Sequence, residues 1–348
     1  FAWQVLRRYL SPMNLSLMFS RGTVALAVLS SLLLTGCSVI SEILPDAAIT
    51  NVLSGREGIN GPVLVVKIDD TTQAHPQVGL EDADIVYIEQ VEGGLTRLAA
   101  VFSSVIPQRI GPVRSARISD IEILSQFGRV AFAYSGAQSK LLAVIAAANL
   151  QDLGAQRQSP TIFTTDPNRI PPYAMVLRAD LLMQRITEKK YAIDSAKSIG
   201  FEFGELQDGG VPTAEAVMHW PAATYSATWS DQESRWLLSH NNSVNYAESG
   251  VVLGPTTLII QMVSITPSEY KDKVGGVTPF SQTVGTGKAY VLRNGQRFVT
   301  TWNRASADSG TTFTFADGTE MKMDPGQIWI ALTDREPDFT SPPAPKTK

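Results

Sequence analysis

The sequence predicts an α+β protein in which an N-terminal α/β layered domain is followed by a mostly antiparallel β domain. Between residue 61 and about residue 200, short β-branched runs alternate with apolar-periodic runs, the pattern of strands and helices stacked in layers. From about residue 220 the helical periodicity stops. Short alternating runs then follow one another, and two pairs of them flank Asn294-Gly295 and Asp317-Gly318, the strongest local hairpin signals. A 348-residue chain with 44% hydrophobic and 18% charged residues has the composition of a packed globular protein, long enough for two domains.

The first element is not part of either domain. Residues 23–34 read TVALAVLSSLLL, an uncharged apolar run preceded by Arg21 and followed by Leu34-Thr35-Gly36-Cys37. A basic flank, a short apolar run and small residues before the break describe a secretory signal peptide, and the run is too short to span a bilayer comfortably. Leu-Thr-Gly-Cys resembles the lipobox of bacterial lipoproteins. Residues 1–36 are therefore expected to be a signal peptide with an upstream extension, translation starting at Met13 or Met18, and Cys37 is expected to carry the lipid. Cys37 is the only cysteine, so no disulfide can form within the chain. Losing residues 1–36 removes three arginines and no acid, which takes the formal charge from −4 to −7. Such an acidic chain with no basic stripe argues against nucleic acid as a partner. The membrane is the expected partner, through a lipid anchor on the extracytoplasmic face.

Residues 37–60 read as a tether. The N-terminal domain, residues 61–205, opens with VLVVKI at 63–68, continues with ADIVYIEQV at 83–91 and LTRLAAVFSS at 95–104, and includes RVAFAYSG at 129–136. All four are strand-like. QSKLLAVIAAANL at 138–150 reads as a buried helix. The second domain, residues 215–335, contains ATYSATW, SRWLLSH, TTLIIQMVSI and the hairpin pair GKAYVLR and QRFVTTW. Trp220, Trp229, Trp236, Trp302 and Trp329 all fall in it, and large aromatics on alternating strands belong to a core. Residues 336–348, rich in proline, read as a flexible tail.

Chemistry concentrates in RIGPVRSARISD, residues 109–120. Arg109, Arg114 and Arg117 repel one another unless negative charge sits among them. Gly111-Pro112 forces a turn, and Ser115 stands where an N-cap would precede the helical run Ile118, Ile121, Leu124, which stops at Gly128. A helix N-terminus flanked by guanidiniums suits phosphate, pyrophosphate or carboxylate. Arg97, Arg114, Ser115 and Arg117 are accordingly the candidate anion site. Asp69, Glu92 and Asp120, with Asp84 and Glu89, are numerous enough to hold the same arginines in internal ion pairs instead. The sequence leaves both arrangements open.

Other signals are weak. No Gly-x-Ser-x-Gly elbow, Walker loop, His-Glu-x-x-His or metal-spaced cysteine set occurs, so the sequence identifies no catalytic residue, and no metal or cofactor is expected. His75, His219 and His240 are far apart, and no pair has helical ligand spacing. His75 reads as a surface or hydrogen-bonding residue. Asp69-Asp70 closes a strand, where paired carboxylates sometimes hold Mg²⁺ or Ca²⁺, but without a third acid nearby this is only a weak hint. Ser135, at a strand-to-helix turn with no local base, reads as a capping residue.

KIDD at 67–70, HPQVGLEDADIVYIEQVEGGLTRLAAVF at 75–102, RIGPVRSAR at 109–117, GTGKAYVLRNG and DPGQIWI together resemble the YerB-type lipoproteins, a two-part bacterial surface family of unknown biochemical function. The resemblance runs in order over most of residues 61–335. Where that family commonly reads Pro-His-Asn-Leu, this chain has Pro172-Tyr173-Ala174-Met175, and Asp70 stands where Asn is usual. The resemblance implies a lipid-anchored surface protein and names no reaction. The expected function is a membrane-anchored extracytoplasmic lipoprotein that binds an anionic envelope ligand or a protein partner. The alternative is an envelope enzyme acting on phosphorylated cell-wall or polyprenyl-phosphate substrates. Its Arg-rich turn after two strands resembles in pattern that of the LytR-CpsA-Psr phosphotransferases. Binding is preferred because no general base or metal set is visible.

Overall fold

Strand β1, Leu64–Asp69, is buried at all six positions, as a β-branched run must be when both faces of its sheet are covered. The computed structural model describes residues 49–344. Cys37, the expected signal peptide and the first part of the tether lie outside the described residues. β1 pairs antiparallel with β3, Thr96–Phe102, and β3 pairs antiparallel with β2, Ile85–Gln90. On the far side of β1 come Val130–Ala133 and Leu150–Asp152, both parallel. On the far side of β2 lies Ile328–Thr333, parallel to it with Ile85 opposite Ile328. Thr257–Met262, Gly285–Arg293, Gln296–Arg304 and Val211–Pro212 then complete the row, and Thr312–Thr314 pairs with Gln296–Arg304.

One eleven-stranded sheet therefore draws on both halves of the chain. This corrects the expected architecture of a layered N-terminal domain and a β domain with a core each. The fold is mixed α+β, and its two hydrophobic clusters are divided by sheet face, not by chain half. Val66, Ile88, Leu98, Leu258 and Trp329 point to one side. Val65, Tyr87, Val101, Ile259 and Ile330 point to the other. The reason is the two-residue period of strands buried on both faces.

Three α-helices are present among the described residues. α1, Ile118–Ser125, and α2, Ser139–Ala147, bury Ile123, Leu124, Leu141 and Ile145 on the second face. α3, Ala179–Lys189, buries Leu182 and Ile186 on the first. The first face is also covered by a five-stranded antiparallel sheet that includes Glu215–Trp220, Ala223–Ser230 and Arg235–His240. Trp220, Tyr225 and Trp236 of this sheet join the cluster around Trp329, and the Trp220 indole N–H donates to the Leu332 carbonyl at 2.9 Å. The Asn294-Gly295 hairpin forms as its sequence demands, with φ of 50° and 69°. Asp317-Gly318 closes a shorter turn, bridged at Thr314 and Glu320, because Lys322–Met323 leaves to pair with Glu202–Phe203.

Two segments are more ordered than their composition suggests. In the expected tether, Asn51, Leu53 and Ser54 are fully buried, and Ser54 and Arg56 both bind the buried Asp84 carboxylate. In the expected tail, Asp338–Thr340 adds an edge strand to Glu215–Trp220, and Phe339 packs edge-on against Tyr290. Among the described residues, no helix is long and apolar enough to cross a membrane.

Candidate functional site

The arginine segment is positioned by backbone pairing. Asp69 N–H donates to the Pro112 carbonyl, Arg114 N–H to Lys67, Ser135 N–H to Arg114 and Ala116 N–H to Gly136. Residues 112–116 are thus wedged in extended form between the end of β1 and the turn after Val130–Ala133. This wedging delays the helix. α1 starts at Ile118 with Arg117 as its N-cap, and the Asp120 carboxylate accepts the Arg117 N–H at 2.6 Å. Ser115 is therefore not the N-cap it was expected to be. Its carbonyl accepts from Arg97 Nη1 at 3.0 Å, and its hydroxyl lies 3.4 Å from that of Ser135.

A cavity of about 900 Å³ opens above this segment. Arg97, Arg114, Ser115 and Arg117 all line it, as does Glu92, so the structure brings the predicted cation set together. Lys271 and Lys273 join them from the hairpin of Ile265–Lys271 and Val277–Ser281. Five cations thus face two lining carboxylates, Glu92 and Asp272. The N-terminus of α2, not that of α1, contributes Gly136 to Ser139 to the wall. Its N-cap Gln138 makes no side-chain capping bond, and its first turn holds no acid, which leaves the positive end of the helix dipole uncompensated.

Internal pairing accounts for two of the three arginines. Arg114 Nε approaches Asp69 Oδ2 to 2.5 Å, without hydrogen-bond alignment, and its guanidinium lies 5.7 Å from the Tyr173 ring centre. Arg117 grips Glu92 through Nε and Nη2, and Thr278 Oγ1 donates to the same carboxylate. Burial would raise the Glu92 pKa, but Arg117 and Thr278 outweigh it and hold the carboxyl below its ordinary value. The Glu92-Gly93-Gly94 turn makes that placement possible. Both glycines have positive φ, and a Cβ on Gly94 would stand 2.4 Å from Pro221.

Arg97 is different. Among the described residues no carboxylate lies within ion-pair distance of it, and burial together with the Arg117 charge pushes its pKa down to about 10. Asp120 is not in the cavity. It sits beneath, where the Lys67 ammonium bonds both Asp120 Oδ1, at 2.7 Å, and Glu89, all three side chains being fully buried. Burial and the neighbouring Asp120 push the Glu89 pKa up to about 7 despite Lys67. Arg109 faces away, toward Asp166 and Glu248.

A second polar cluster was not legible in the sequence. Asp70, His75 and His240 converge, with His75 Nε2 3.3 Å from Asp70 Oδ1 and His240 Nε2 3.9 Å from Oδ2. Tyr225 and Thr96 hydroxyls each donate to Asp70 at 2.6 Å. Burial favours the neutral carboxyl, but the His75 hydrogen bond and the two imidazoles prevail and keep the Asp70 pKa low. Burial lowers His75 less than Asp70 raises it, while for His240 burial wins. Asp70, Thr96, Tyr173 and His240 line a smaller cavity of about 310 Å³. The only sequence hint was the acid pair closing a buried strand, because β1 and Arg235–His240 meet through packing and not through chain proximity.

Residues 49–192 match the N-terminal domain of a family described as "Protein of unknown function (DUF3048)", and residues 216–330 match its C-terminal domain. The chain belongs to the DUF3048 family. Its two family domains are the segments whose strands share the central sheet. Over 56 residues, 16% of this chain, it is 50% identical to a protein of Bacillus subtilis (strain 168) named "Putative lipoprotein YerB". That match spans 17% of the relative's length. The crystal structure of the YerB protein from Bacillus subtilis superposes with a TM-score of 0.72 at 18% identity, covering 84% of this chain and 99% of that one. The fold is thereby shared with that YerB structure over nearly its whole length.

Proposed function

We propose that this DUF3048 protein is a lipoprotein held on the extracytoplasmic membrane face through Cys37, and that its arginine cavity binds a phosphate-bearing envelope ligand. The observation that carries the reading is the charge imbalance of the cavity. Arg114 and Arg117 have carboxylate partners, whereas Arg97 is a largely buried guanidinium with none among the described residues. An anion with several oxygens satisfies Arg97, the lysines and the α2 N-terminus together. Binding, not turnover, is favoured because the lining carboxylate nearest the arginines, Glu92, is kept ionised and occupied by Arg117 and Thr278.

Thermal melts with phosphate, pyrophosphate and an undecaprenyl-phosphate analogue test this. A ligand at a hundred times its dissociation constant is expected to stabilise the chain by about 2.7 kcal/mol. Arg97→Met removes a cation from among cations at the cost of one hydrogen bond to the Ser115 carbonyl, so it should melt near wild type without ligand and lose the ligand-induced gain. Arg117→Met strands Glu92 and should lower the melting point before any ligand is added. Absence of a shift in wild type with all three anions would remove the proposal.

Anchoring has a separate test. A single acyl chain gives only marginal binding, so stable attachment needs two or more. Labelling with a clickable fatty acid should mark wild type and spare Cys37→Ala, which should also leave the membrane fraction. Equal labelling of both would rule out Cys37 as the anchor.

A further inference from the structure

We infer that Asp70, His75 and His240 form a binding site for a transition-metal dication of the Zn²⁺ class, separate from the arginine cavity and independent of the anion reading. The donor set is two imidazoles and one carboxylate, which suits zinc and its neighbours and leaves a coordination position open. One donor atom from each of Asp70, His75 and His240 lies within 4.8 Å of the other two. Bonds of about 2.0–2.2 Å to a tetrahedral ion place donors roughly 3.3–3.6 Å apart, so the donors must draw together and one ring must reorient.

The surroundings are those of a supported ligand set. Metal-bound histidines donate their other ring N–H to a fixed acceptor, and His75 Nδ1 lies 2.9 Å from Asn245 Oδ1. The Asp70 carboxylate is oriented by Tyr225 and Thr96. His240 is 4% exposed, yet among the described residues its Nε2 has no hydrogen-bond partner, and Gln77 Oε1 and Asn245 Nδ2 beside the cluster have none either. Buried polar atoms are nearly always satisfied. Two unpartnered acceptor atoms, His240 Nε2 and Gln77 Oε1, beside a second histidine and a carboxylate point to a missing electrophile. The 310 Å³ cavity on which Asp70 and His240 open supplies the route in and room for a water in the fourth position.

One rearrangement accompanies loading. The two imidazole rings are stacked, 4.6 Å apart and 10° from parallel, and lone pairs in parallel planes cannot meet at one ion. His240 must turn about its Cβ–Cγ bond. That turn breaks no Nε2 hydrogen bond and gives up the stack on His75 and the tilted contact with the Tyr225 ring.

The test uses the untagged full-length chain, stripped with a chelator and titrated with Zn²⁺, with Co²⁺ as a spectroscopic substitute. The expected result is one Zn²⁺ per chain, a raised melting temperature, and a visible Co²⁺ absorption band of nitrogen and oxygen ligation. His240→Ala and His75→Ala should each weaken binding at least tenfold. His219→Ala, a half-exposed histidine beside Asp338, should bind as wild type does. If a histidine variant fails to fold, the wild-type Co²⁺ spectrum and stoichiometry decide alone. Sub-stoichiometric uptake, or uptake that survives in His240→Ala, would overturn the assignment.

Discussion

Replacing Lys67 with methionine is expected to cost about 3–5 kcal/mol, the penalty for leaving buried charge without its partner. Lys67 stands between Glu89 and Asp120, all three buried to zero exposure. Without the ammonium, two carboxylates face each other in the sheet interior, and Asp120 must still cap α1. Urea denaturation at pH 8 measures the loss. The penalty should shrink toward pH 5, because one of the two acids can then take up a proton. A variant within about 1 kcal/mol of wild type at pH 8 would show that the cluster is solvated and not buried. Glu89 adds a pH signature of its own. Its pKa is raised from 4.5 to about 7 by burial and by Asp120, so the folded chain holds a proton that the unfolded chain has released. The stability from this group is fully present below about pH 4.5 and is lost as pH rises through about 7, at most about 3 kcal/mol in all. Asp70 and Glu92, with lowered pKa values, slope the other way, so the difference between wild type and Glu89→Gln isolates the effect. Identical slopes in the two proteins would refute it.

Asp84→Ala is expected to lose about 3 kcal/mol and to release residues 49–60. The carboxylate accepts the backbone N–H groups of Ser103 and Ser104 at 2.7 and 2.9 Å, the hydroxyls of Ser54 and Ser104 and the Arg56 guanidinium at 3.1 Å. A hydrogen bond to a charged acceptor contributes about 1.5–3 kcal/mol. The bonds made by one carboxylate do not add. Truncation leaves two backbone donors at the end of β3 unpaired and cuts the attachment of the preceding segment. Hydrogen exchange should quicken at residues 51–58 while Val130–Ala133, at the far side of β1, keeps its protection. Unchanged exchange at 51–58 would mean that Leu53 packing alone holds the segment.

How much could be read in advance follows from the range of each interaction. The strands β1 to β3 were legible because continuous β-branched and apolar runs admit few other structures. Arg114, Ser115 and Arg117 were legible as a group because they are neighbours in sequence, and Arg97 because β3 precedes them. The histidine pair was not, since His75 and His240 meet only after the five-stranded sheet has packed on the central one. Nor was the role of Lys67, whose period on β1 places it among buried residues as a charge. Composition misled at both ends. Residues 49–60 and 336–344 are short of strong signals, yet Asp84 and the edge at Glu215–Trp220 recruit them.

The position of Ile328–Thr333 sets an order of events in the birth of the protein. This strand comes late in the sequence, after every other strand of the central sheet, and occupies its middle, hydrogen-bonded on one side to β2 and on the other to Thr257–Met262. Until it has left the ribosome, the first half of the chain presents β2 as an open edge, and the later strands have nothing to join. Pairings of such long sequence separation close late. The two family segments are consequently halves of one cooperative body that is completed only once residue 333 has been made, and a chain stopped before residue 328 would offer a bare apolar edge to every neighbour it met.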